Sequence, residues 1–151
     1  MATYFDDPID VLDFVHNYLQ DKAGEIGLAF VGYVEERLIP EYPALTLGST
    51  SVTREIHGTH TFGVTFILEM WIYHADLSAS HRVRTREDLL LVGRVRKAMH
   101  DNLRLYDENH NAQCVFSWIS AEDPAFMRTE KGPGVVGSRI EQTVQSQSRF
   151  K

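Results

Sequence analysis

The chain holds a single cysteine, Cys114, in 151 residues. One thiol excludes an internal disulfide and any multi-thiolate zinc site, and it fits a reducing compartment. Positive charge is also in short supply. Against 21 Asp and Glu there are 15 Lys and Arg, and the formal net charge of −6 argues against broad attraction to DNA or to an anionic membrane. No uninterrupted apolar run approaches the roughly 20 residues of a membrane-spanning helix. Asp6, Asp7 and Asp10 precede the first apolar stretch, so neither a span nor a secretory signal is expected. Phosphate-loop chemistry lacks its parts, because Gly132-Pro133-Gly134 has neither the lysine nor the helix that phosphate binding needs. Nucleic-acid motifs, internal repeats and interdomain linkers are absent. Residues 1–151 therefore read as one domain, long enough to bury a core without metal or disulfide.

What is present is a long alternating strand, a basic stretch and an amphipathic helix. From Thr61 to Tyr73 the even positions Phe62, Val64, Phe66, Leu68, Met70 and Ile72 are all apolar, while the odd positions begin Thr61, Gly63, Thr65 and include Glu69. That is a period-two strand with one face in a core. The odd face turns apolar at Ile67, Trp71 and Tyr73, so something must cover it there: either the first helix or a neighbouring copy. Aromatic residues of this kind are enriched at subunit interfaces.

Upstream, Asp7-Pro8 predicts a helix start, with aspartate as N-cap and proline at the first helical position. The helix is expected over Pro8 to Gln20, with Val11, Leu12, Val15 and Leu19 as its apolar stripe. Gly24 and Gly27 punctuate a connector, Leu28 to Val34 and Ala44 to Leu47 read as short strands, and Gly48 to Gly58 reads as a polar stretch. After the long strand, Leu77 to Arg84 reads as a loop. Thr85 then opens a second helix, with Asp88 completing a capping box and Leu89, Val92, Val95, Met99 and Leu103 on its apolar side. Cys114 to Ala121 is a strand, Glu122 to Gly134 a long polar hairpin loop, and Val135 to Ser146 a last strand beyond which residues 147–151 fray. This order predicts an α+β domain: a mainly antiparallel sheet with two helices packed on it.

No catalytic constellation accompanies the fold. His57 and His60 are the closest histidine pair, but three residues apart on a strand they point to opposite faces, and zinc needs a convergent set. Cys114 stands at the head of a strand with no helix start or glycine elbow, and reads as a small buried hydrophobe rather than a nucleophile. The basic cluster His81, Arg82, Arg84 and Arg86 is a candidate docking point for an acidic partner. Ile67, Trp71 and Tyr73 are the candidate subunit interface.

Several segments, taken in order, resemble the tail terminator proteins of bacteriophages with long, non-contractile tails. They are Phe30-Val31-Gly32-Tyr33-Val34, Leu38-Ile39-Pro40-Glu41-Tyr42-Pro43-Ala44, Arg54-Glu55, Gly58-Thr59-His60-Thr61-Phe62, Trp71-Ile72-Tyr73-His74-Ala75-Asp76 and Arg84-Thr85-Arg86-Glu87-Asp88-Leu89. The resemblance implies a structural virion protein, not an enzyme, with no cofactor and no metal. It implies a homo-oligomeric, six-membered ring on the head-proximal end of the tail, touching the tail-tube protein on one side and the head-tail connector on the other. DNA would pass through the ring without specific binding, no membrane would be involved, and assembly would take place in the host cytoplasm. The alternatives are a connector, neck or tail-tube protein of the same junction, and, from a different class, a small-ligand-binding or metal-dependent enzyme domain.

Overall fold

The computed structural model describes residues 4–33, 38–75, 81–128 and 135–149. They form helix α1 (Pro8–Ile26), strands β1 (Phe30–Gly32), β2 (Ala44–Ile56) and β3 (Thr61–Ala75), helix α2 (His81–His100), and strands β4 (Phe116–Arg128) and β5 (Val135–Arg149). The described strands make a five-stranded sheet in the order β1-β2-β3-β5-β4. Only β1 and β2 pair in parallel; the other pairings are antiparallel, so the expected α+β architecture with a mainly antiparallel sheet is the observed one.

Helix α1 starts at Pro8, but Asp7 caps it with its backbone carbonyl, which accepts from the amides of Asp10 and Val11, and not with its side chain. It also runs past the expected end at Gln20. Gly24 stays helical, and the helix stops at Gly27, whose φ of 92° is the left-handed conformation that only glycine adopts cheaply. Val11, Val15 and Leu19 are buried against the sheet, while Leu12 packs at the margin.

Three strands outrun their expected spans. The Gly48 to Gly58 stretch is mostly strand, since β2 resumes after an irregularity between Leu47 and Thr50 and pairs with β3 as far as Ile56 and Phe62. Gly48 sits at that irregularity because a Cβ there would lie 3.1 Å from the Glu69 carbonyl oxygen. Likewise β4 continues to Arg128, so the segment expected as loop from Glu122 is strand for its first half; residues 129–134 lie outside the described residues. The tail does not fray at 147, because Gln147, Ser148 and Arg149 pair with Gly63, Phe62 and Thr61.

Both helices pack on the same face of the sheet. The even positions of β3, Leu45 and Leu47 of β2, and Ile140 and Val144 of β5 join α1 and α2 in one core. Among the described side chains of α2 the buried apolar residues are Leu91, Val92, Val95 and Met99, whereas Leu89 is 49 % exposed, contrary to the expected stripe. The helix starts at His81, four residues before Thr85, so Thr85-Asp88 is not a capping box. Asp88 is instead buried and accepts a hydrogen bond from the Ser138 hydroxyl across to β5.

On that same face of β5, Gln142 is fully buried with neither amide atom paired. A buried amide left without partners costs about 1–3 kcal/mol. Gln142→Met, which keeps most of the volume, is therefore expected to stabilise the fold by about 1–2 kcal/mol, read as a higher urea midpoint at unchanged slope. A lower midpoint would refute the unpaired amide.

Candidate functional site: the open face of the sheet

Since side chains alternate along a strand, the odd positions of β3 point away from the helices. Ile67, Glu69, Trp71 and Tyr73 are half-buried there, shielded by their neighbours in the sheet. Trp71 lies between Thr46 and Arg139, Ile67 between Ser51 and Thr143, and Tyr73 between Ala44 and Gly137. Helix α1 does not cover them, because it lies on the other face. Among the described residues no helix or strand packs over this side.

The centre of the open face is an ion-pair hub. Glu69 and Glu141 are register partners, and like charges directly opposite one another are unfavourable. Arg139 answers both: its Nε donates to Glu69 Oε1 at 2.8 Å, its Nη2 donates to Glu141 Oε2 at 2.8 Å, and its Nη1 lies 3.5 Å from Asp123 Oδ2 on β4. The hydrogen bonds to Glu69 and Glu141 hold the guanidinium pKa above its ordinary value. The planar fork matches two carboxylates at once in a way lysine does not. Trp71 stands directly beside it, so the face presents an aromatic side chain against a net-negative cluster in which three carboxylates share one guanidinium.

Arg139→Leu is expected to cost about 1–2 kcal/mol at neutral pH, through lost pairing and unrelieved carboxylate repulsion. Urea unfolding at neutral pH with and without about 1 M salt checks this, because screening shrinks the repulsion between partly exposed carboxylates; an equal loss in both would exclude the electrostatic origin.

Of the expected docking cluster, His81, Arg82 and Arg84 fall in the first turn of α2 rather than in a loop, and Arg86 is exposed one turn further on. The rest of the loop expected from Leu77 lies outside the described residues up to residue 80. The structure does not bring this stretch to the open face, because α2 packs on the opposite side of the sheet.

The histidines are dispersed. His57 and His60 are exposed at the β2–β3 turn, where His57 lies 3.7 Å from a Glu55 carboxylate oxygen. The His57 ring covers Gly63 so closely that a Cβ there would come within 2.1 Å of it. His16 stacks on Tyr33 with ring centres 4.7 Å apart, and His100 Nε2 accepts from the Ile119 amide at 3.1 Å. Among the described residues no three His, Cys, Asp or Glu side chains converge on a point that would hold a metal ion. Cys114 is buried in the core, and that burial pushes its thiol up to about 12, which leaves essentially no thiolate at neutral pH.

Two features escaped the sequence reading. The Arg139 hub joins Glu69, Asp123 and Arg139, 16 or more positions apart on three strands, and its one signal was the charged alternation Arg139, Glu141 on β5. The other is a groove of about 340 Å³ between α1 and the loop that follows α2, lined by Phe14, Tyr18, Asp21, Tyr106 and Glu108 among others. No family model matches the chain, and no curated protein is similar enough to it to count as a relative.

Proposed function

We propose that this chain is a tail terminator: a ring-forming virion protein that caps the head-proximal end of a phage tail tube, ends its polymerisation and offers the joining surface to the head. One observation carries the reading furthest beside the resemblance. Among the described residues helices cover one face of the sheet, and the other face presents half-buried Ile67, Trp71 and Tyr73 around the Arg139 ion-pair hub. Such a surface sets aromatic and aliphatic side chains beside an arginine, and aromatic residues and arginine are enriched at protein interfaces. It is also long, since the 15 residues of β3 span about 50 Å at the rise of an extended strand. Ile67, Trp71 and Tyr73 are then contacts to a neighbouring subunit. The acidic balance of the chain keeps passing DNA from sticking to the ring.

Light scattering over a concentration series, with negative-stain micrographs of the same samples, tests the proposal. Sixfold rings that grow in at high concentration are the expected result. A strictly dimeric species in both measurements would overturn it.

A further inference from the structure

The two helices that share one face of the sheet carry opposite charge. Helix α2 has six Lys and Arg against two acids, one of which is the buried Asp88, whereas α1 has four acids against one lysine. Each helix also offers apolar surface in keeping with its charge. On α2, Leu89 and Leu90 are 49 % and 42 % exposed, beside exposed Arg86 and Arg94. On the other side lies the groove, whose aromatic walls are Phe14, Tyr18 and Tyr106 and whose rim carries Asp21 and Glu108, both exposed.

These two surfaces cannot meet within one chain. The groove is fixed at the C-terminal end of α2, where the Tyr18 hydroxyl donates to the Ala98 carbonyl at 2.6 Å. Arg86 to Leu90 lie eight or more residues earlier on the same rigid helix, about 12 Å or further along it. A knob and a groove at different places on one molecule are satisfied by a second copy, and the contact is heterologous, which closes into a ring when the rotation per copy divides a full turn.

We infer that the Arg86-Leu89-Leu90 side of α2 in one copy seats in the acidic, aromatic groove between α1 and the Tyr106–Asn109 loop of the next. This rests on the ring reading above and gives the ring its direction. The leucines fill the space between the aromatic rings, in the helix-in-groove mode, and the guanidinium meets Asp21 and Glu108 at the rim. The charges set the register and exclude the reversed orientation, which would place like signs together.

The test uses charge reversal on the full chain. One variant reverses the groove, Asp21→Lys with Glu108→Lys; the other reverses the helix, Arg86→Glu. Asp21, Glu108 and Arg86 are exposed, and unchanged circular dichroism for both variants checks that the fold survives. By sedimentation equilibrium each variant alone should self-associate about 30-fold more weakly, since every contact now faces a like charge. An equimolar mixture should recover to within about 3-fold of the native chain, because reversed grooves meet reversed helices and native grooves meet native ones. Undiminished association of the single variants, or no recovery on mixing, would overturn this contact and leave the ring reading standing. A native chain that stays monomeric at every concentration would overturn both.

Discussion

Tails of irregular and excessive length, together with filled heads that carry no tail, are the expected products of an infection in which this chain is missing. A tube built from identical rings presents the same surface after each layer, and a head-to-tail contact of that kind extends without a stop. A terminator ends it by binding the last ring while presenting a different outer surface. Electron micrographs of a nonsense mutant grown in a non-suppressing host supply the measurement. Tails of normal length that merely fail to join heads would favour the connector assignment, and intact infectious particles would refute both.

Adjacent residues on β3 should behave in opposite ways. Phe66 is fully buried beneath the helices, and Phe66→Ala is expected to remove about 3–5 kcal/mol, a large share of the 5–15 kcal/mol of a typical domain. Its neighbour Ile67 is half-buried on the open face, and Ile67→Thr keeps the β-branched shape there. That change should cost the isolated subunit no more than about 1 kcal/mol while lowering ring formation about 10-fold or more. Urea denaturation of dilute protein and sedimentation of concentrated protein separate the two effects. If Ile67→Thr destabilised the subunit as much as Phe66→Ala, the odd face would be a second core and not an interface.

The parts of the fold that were legible in the sequence are those where burial is one-sided. Strand β3 was clear because its even residues all enter one core, and Asp7-Pro8 marked the start of α1 through chain stereochemistry alone. The far half of β2 was not legible. From Thr53 to Ile56 the strand is exposed on both faces, so no alternation marks it, and only its pairing with β3 keeps it extended. The far half of β4 similarly reads as polar, and two irregularities, between Ile119 and Ala121 and between Asp123 and Met127, break its register.

The start of α2 was misplaced for a different reason. Thr85 and Asp88 have the spacing of a cap, but Asp88 is needed inside, against Ser138, and tertiary structure overrides the local signal. For the candidate site, Ile67, Trp71 and Tyr73 were visible as an apolar departure from alternation. The groove was not, because it joins α1 to a loop some 90 residues later, and no local pattern encodes that meeting.

The strand order carries a consequence for biosynthesis. Strand β5 leaves the ribosome after every other described element, yet it lies inside the sheet, between β3 and β4. Until residue 149 clears the exit tunnel, β3 keeps one bare edge along all 15 of its residues, and β4 has no strand to join. At about 5–20 residues per second, that interval lasts roughly 4 to 15 s for each nascent chain. A flat apolar strand with an unpaired edge is a template for pairing with any extended segment nearby, including the same strand on the next ribosome of the message. Hosts making this protein in bulk should therefore show nascent-chain chaperones bound between residues 75 and 149, and slowing translation over that window should lower the soluble yield.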